Sequence, residues 1–178
     1  MKKLTHSEIS SKRATLDNLA KVDRMPVTVV LNSIRSSYNV GSIFRTSDGV
    51  MIEKLYLCGY TPYPPKKEVL KTALGSELSV DWTYEENPSD VVKKLKEKGY
   101  TICSLEQTDS NISYTEINKK DFPICLIIGN EISGVGQELI ELSDISIEIP
   151  QYGIKQSLNV AVAYGISIFE LRKIYSTK

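Results

Sequence analysis

Two short runs, VTVVL at 27–31 and ICLII at 124–128, constrain this chain more than any other feature in it. A half-solvated strand alternates apolar and polar side chains, whereas five successive residues with almost no polar member require cover on both faces. Similar β-rich runs occur at Leu55–Cys58, Thr101–Leu105 and Ile145–Ile149, and helical patterns lie between them at Val40–Val50, Pro88–Lys98, Val135–Leu142 and Leu158–Ile174. This alternation predicts an α/β fold, a mainly parallel sheet flanked by helices. With 178 residues and no repeat, the chain reads as one domain, large enough to bury about 70% of its unfolded surface without a disulfide or metal staple. GYTPYPPKK (Gly59–Lys67) carries three prolines and reads as an extended loop rather than a domain break.

Residues 1–24 differ from the rest (25–178). A capping-box pattern at Thr5 and Glu8 predicts a polar helical extension bearing Lys2, Lys3, Lys12, Arg13, Lys21 and Arg24, partly offset by Glu8, Asp17 and Asp23. Over the whole chain 22 basic residues balance 22 acidic ones, so no global field favours a polyanion and any nucleic-acid contact must come from a local patch. Cys58, Cys103 and Cys125 are odd in number and widely spaced, the pattern of reduced core thiols. His6 is the only histidine, which argues against Ser-His-Asp and Cys-His catalysis and against a zinc site. No apolar leader follows the first Met, and the longest apolar stretch, near Val160–Phe169, falls far short of the roughly 20 residues a membrane span needs. The expectation is a cytoplasmic protein with no membrane partner and no metal.

Three segments break the pattern of an ordinary core, each at the carboxyl end of a predicted strand, where open α/β sheets bind ligands. In LNSIRSSYNVGSIFRTSDG (31–49), a polar turn leads into a helix on which Asn39 and Arg45, about a turn and a half apart, are expected to face one cleft. In IIGNEISGVG (127–136), a buried strand runs into a glycine-rich loop. Val135 stands where a phosphate-binding loop needs Lys, so the nucleoside triphosphatase reading fails, and Glu131 between apolar residues asks for another explanation. In IEIPQYGIKQSLNVAVAYGISIFEL (147–171), Ser157 reads as a helix N-cap, which leaves Asn159, a poor helix former on an apolar helix, unexplained by capping.

NVGSIFRTSDG, IIGNEISGVG and IPQYGIKQSLNVAVA resemble, in order, the three motifs of the SpoU (TrmH-like) family of S-adenosylmethionine-dependent RNA ribose 2′-O-methyltransferases, in the SPOUT superfamily. The resemblance runs from Val27 to Leu171, and CGYTPYPP and KTALGSE are similar to a subset of small SpoU proteins. It implies a deep C-terminal trefoil knot and a homodimer whose active site is completed across the subunit interface. By motif position it implies catalytic roles for Asn39, Arg45, Glu131, Ser157 and Asn159. Leu105, Gly129, Ile149 and Leu158 fall where the family cradles S-adenosyl-L-methionine. Ser47 and Gly49 depart modestly, standing where relatives often carry other small residues.

The leading expectation is therefore methyl transfer to a ribose 2′-hydroxyl of tRNA or rRNA. The sulfonium is already an activated leaving group, so the protein has mainly to position reactants and manage one proton. A guanidinium with a pKa above about 12 is a poor base, so Arg45 is better suited to clamp a phosphate or stabilise the developing alkoxide. Arg35 and the N-terminal cluster would add phosphate contacts. Two alternatives remain at this point: a non-catalytic RNA-binding protein on the same scaffold, and a methyltransferase acting on protein or a small molecule.

Overall fold

The computed structural model describes residues 1–177. After helix α1 (His6–Ser10) the chain runs β1 (Met25–Asn32), α2 (Ser37–Val50), β2 (Ile52–Cys58), α3 (Lys67–Ala73), β3 (Trp82–Glu85), α4 (Pro88–Glu97) and β4 (Thr101–Leu105). It continues through β5 (Ile112–Ser113), β6 (Ile124–Ile128), α5 (Gln137–Leu142), β7 (Ile145–Glu148) and α6 (Val160–Ser176). All seven strands pair in parallel in the order β3-β2-β1-β6-β4-β7-β5. The two apolar runs lie side by side at the centre, with Val29 opposite Leu126.

Their composition follows from their surroundings. Val29, Leu31, Leu126 and Ile128 pack with Ile43 and Phe44 of α2, Val69 of α3 and Ile168 of α6 on one face. Val30, Cys125 and Ile127 pack with Val92 and Leu95 of α4 and Leu139 of α5 on the other. Burial pushes the Cys58 and Cys103 thiols up to about 12, with Glu85 and Asp121 adding to it, so both are protonated and unreactive at neutral pH. No helix among the described residues is long and apolar enough to cross a membrane.

The structure alters several sequence expectations. The capping box at Thr5 and Glu8 forms, but its helix spans only five residues and buries none of them. With no apolar face to dock, a helix this short gains nothing from packing, and the extension continues as turns. Arg24 does not belong to a free basic patch: its guanidinium donates to Ile52 O (3.0 Å) and Ser79 O (2.8 Å) and ties the extension to the domain. The proline-rich loop ends at Lys66, where α3 begins unannounced by any apolar period. The helix expected from Leu158 starts at Val160, and its N-cap is Asn159, not Ser157.

One face of α6 stays open. Tyr164, Ile168 and Leu171 are buried, while Val162, Ile166 and Phe169, at helical spacing, are 50%, 36% and 54% exposed. The total surface of 10402 Å² also exceeds the roughly 8,700 Å² typical of a compact monomer of this mass.

Candidate active site

The loops after β1, β4, β6 and β7 meet above the carboxyl edge of the sheet. Close approach of the chain to itself makes this possible: a Cβ on Gly129 would collide with the backbone of Gly134 and Val135. Asn130 then organises the turn. Its Oδ1 accepts from Ile132 N (2.9 Å) and Ser133 N (3.1 Å), and its Nδ2 donates to Ser33 O and to the Tyr60 hydroxyl, both at 2.7 Å. Glu106, directly after β4, clamps the same turn by accepting from Val135 N at 2.8 Å.

The turn holds Glu131 against the start of α2. One carboxylate oxygen accepts from Arg35 N (2.7 Å) and the other from Ser36 N (3.0 Å) and Asn39 Nδ2 (2.9 Å). Burial alone would raise the Glu131 pKa, but the donors from Arg35, Asn39 and Ser36 outweigh it and hold the group below its ordinary value. The site also suits a carboxylate because a helix N-terminus offers free amides and a positive dipole end. Asn39 Oδ1 in turn accepts from Asn159 Nδ2 (3.2 Å), and Asn159 Oδ1 accepts from Ala161 N (3.0 Å), capping α6. Glu131, Asn39 and Asn159, one from each motif, thus form a single chain of hydrogen bonds.

This chain borders a cavity of about 780 Å³ whose lining includes Leu105, Gly129, Ile149 and Leu158, along with Ser157 and Asn159. All four positions assigned to the cofactor on resemblance therefore share one pocket. Four carboxylate residues, Glu106, Asp109, Glu131 and Glu148, also line it, with no lysine, arginine or histidine among its described lining residues. The Thr108 hydroxyl, another lining group, is buried without a protein partner. An apolar wall, an excess of negative charge and an orphaned hydroxyl fit a ligand with a flat heterocycle and a cationic centre.

Arg45 is not part of this group. It is exposed and lines a separate cavity with Lys71, Thr72 and Phe169, so the expectation that it shares a cleft with Asn39 is not met within one chain. Six residues advance a helix by 600°, leaving the two side chains about 120° apart around its axis. Conversely, Asn130 and Glu106 were missed in the sequence. Their one available signal is a polar residue placed just beyond a strand that is apolar and buried.

The chain matches the SpoU rRNA Methylase family model over residues 26–169. It is 32% identical over 148 residues to the tRNA (guanosine(18)-2′-O)-methyltransferase of Aquifex aeolicus, covering 82% of this chain and 68% of that protein. To the Escherichia coli K12 protein of the same name it is 30% identical over 147 residues, covering 83% and 63%. It thus spans roughly two thirds of the length of these relatives. Its fold is similar to the crystal structure of an A. aeolicus TrmH/SpoU tRNA modifying enzyme, with a TM-score of 0.79, 29% identity and coverage of 89% of this chain and 81% of that one. A second likeness is to an AdoMet-bound rRNA methyltransferase from Sinorhizobium meliloti, with a TM-score of 0.78, 29% identity and coverage of 87% and 59%.

Proposed function

Because this chain belongs to the SpoU rRNA Methylase family, we propose that it is an S-adenosylmethionine-dependent methyltransferase acting on a ribose 2′-hydroxyl of tRNA or rRNA in the cytoplasm. The observation that carries this reading is the hydrogen-bonded chain Glu131–Asn39–Asn159 at the rim of a carboxylate-lined cavity. A scaffold kept only for RNA binding has no need of a pocket suited to a cationic ligand.

Bound S-adenosylmethionine supplies a methyl group already activated on a sulfonium. Leu105, Gly129, Ile149 and Leu158 hold it, with Thr108 as a further polar contact. Glu131 already accepts three hydrogen bonds and is held ionised, so it serves as an organiser rather than a proton acceptor. It fixes the amide of Asn39, and Asn39 fixes that of Asn159, which leaves Ser157 and Asn159 to orient the ribose. Arg45 clamps the neighbouring phosphate and stabilises the alkoxide as the 2′ oxygen gives up its proton to solvent water and takes the methyl group.

Arg45 meets that pocket in a homodimer. Support comes from the apolar stripe of Val162, Ile166 and Phe169, because Phe169 also lines the Arg45 cavity. A second copy covering this face brings Arg45 of one protomer to the pocket of its partner. The family's deep C-terminal knot belongs to the same reading. Supporting it, the chain after β7 passes the loop behind β4, where Gln107 Nε2 donates to Gln156 O (2.7 Å), before α6 packs on α2. The extension, up to Lys21, adds salt-sensitive phosphate contacts.

The test is titration calorimetry with S-adenosylmethionine, followed by incubation of the protein and labelled cofactor with total RNA from a strain lacking it. Cofactor binding and a single mapped ribose methyl are expected. Binding without any RNA-dependent turnover overturns the catalytic reading.

A further inference from the structure

Sequence-specific recognition of RNA targets loops and ends whose unstacked bases can be splayed onto aromatic side chains, and unstacking a base costs free energy that the protein must offset. We infer that the loop between β2 and α3, residues 59–66, is a preformed platform on which a base of the RNA stacks, with Tyr60 as the stacking ring. This rests on the methyltransferase reading above and adds to it the element that recognises the nucleotide.

Tyr60 is 65% exposed, yet its hydroxyl is held by Asn130 Nδ2 at 2.7 Å. Most exposed aromatic side chains are free to change rotamer, and ordering them on binding costs entropy. Here the ring is fixed at its backbone and at its hydroxyl, so a face is offered with that cost already met. Asn130 directly precedes Glu131, so the ring is anchored one residue from the carboxylate that organises the catalytic amides.

The loop beneath is rigid as well. The Thr61 hydroxyl is buried, donates to Cys58 O (2.7 Å) and accepts from Ile34 N (3.0 Å), binding the loop to the segment that carries Arg35. Tyr84 donates from its hydroxyl to Gly59 O (2.9 Å), and its ring packs against that of Tyr63 at a tilt of 37° with centroids 4.7 Å apart. Lys66 at the end of the loop and Lys67 at the start of α3 are exposed, as is Arg35 next to Ile34, whose amide the loop holds. An exposed flat ring on a loop that also adjoins exposed cations suits a base together with its phosphates.

The experiment compares Tyr60→Ala, Tyr60→Phe and Tyr60→Trp in the full chain, using total RNA from a strain lacking the protein as substrate and calorimetry for the cofactor. Tyr60→Ala is expected to raise the RNA KM on the order of tenfold or more, as loss of one base–aromatic stack does. Tyr60→Phe and Tyr60→Trp, which keep a face and lose the tether, fall between, with Tyr60→Trp nearer the starting value because its ring is larger. Cofactor affinity and melting temperature stay unchanged in all three. An unaltered RNA KM in Tyr60→Ala overturns the platform, as does a parallel loss of cofactor affinity, which marks a structural role through Asn130. If the unsubstituted protein binds cofactor but methylates no RNA, the proposed activity fails and the platform with it. If it methylates RNA while Tyr60→Ala keeps its KM, the platform alone fails.

Discussion

Asn159 donates from Nδ2 to Asn39 Oδ1 across 3.2 Å, and this bond joins the cap of α6 to the first turn of α2. It also fixes which way both amides point. Glu131 can only accept, so Asn39 must turn its nitrogen toward it and its oxygen toward Asn159; Asn159 must then turn its own oxygen toward Ala161 N. One carboxylate therefore sets the polarity of three motifs.

This separates the two jobs of Asn159. Asn159→Ala loses the cap and should cost about 1 kcal/mol of stability together with most activity. Asn159→Asp keeps an acceptor for Ala161 N but cannot donate to Asn39, so melting temperature should stay near that of the parent. Turnover should nonetheless fall about a hundredfold, the scale of a small misplacement at a reacting centre. Thermal melts and single-turnover rates on the two variants check it.

Glu131→Gln should destabilise the protein in a pH-dependent way. The folded pKa of Glu131 lies below its ordinary 4.5, so its contribution is fully present above that value and is lost as pH falls through the folded pKa. With allowance for the exposure of this side chain, the difference at pH 7 should be about 1 kcal/mol. Denaturant titrations from pH 7 down to pH 3 should show the gap between parent and variant closing in acid.

Ser47 stood out in the sequence only as an unusual small residue; in the structure its hydroxyl lies 2.7 Å from that of the fully buried Tyr164. Burial raises the Tyr164 pKa far above its ordinary value, with the Ser47 bond opposing, so the phenol stays neutral. Ser47→Ala orphans a buried hydroxyl and should cost about 1–3 kcal/mol. Adding Tyr164→Phe removes the orphan, so the double variant should recover part of that loss. Urea unfolding of the four proteins in the cycle measures the coupling.

The central sheet was legible because β1 and β6 are covered on both faces, and their sequences carry that burial directly. β3 and α3 were not. WTYE is a short edge strand, and KEVLKTA is held by a long-range contact: Gly41 of α2 lies so close to Thr72 and Val69 that a Cβ there would collide with both. No local period records such an approach. In the site, Asn39, Glu131 and Asn159 were visible as polar residues in apolar settings. Asn130 and Glu106 escaped because they serve backbone amides and carbonyls on sequence-distant segments or in tight turns, and the position of Arg45 depends on helical phase, which turns it to a separate cavity.

The extension should contribute to RNA affinity and not to the cofactor. Deleting residues 2–22 keeps Arg24 and its bonds to Ile52 and Ser79, so the domain should melt at an unchanged temperature. The shortened protein should bind RNA more weakly, with a shallower dependence on salt, because fewer phosphates are neutralised. Filter binding between low and moderate salt reads both effects, and calorimetry with S-adenosylmethionine should show no change.

The proposed distribution of the site over two copies makes the sharpest demand. Arg45→Ala should abolish methyl transfer and leave cofactor affinity intact, because Arg45 lines a cavity apart from the pocket proposed for the cofactor. Arg45→Lys keeps the charge but loses the bidentate fork, so a phosphate clamp predicts a large, incomplete loss. Asn159→Ala should lose most activity for a different reason, with an intact Arg45. If each site takes its arginine from the partner, a mixed dimer of the two dead variants contains one site with an intact pocket and an intact Arg45. Unfolding and refolding the variants together in equal amounts should then restore about a quarter of the parental activity, since in the proposed dimer half the pairs would be mixed and half their sites whole. A mixture as inactive as its components means that Arg45 serves its own chain.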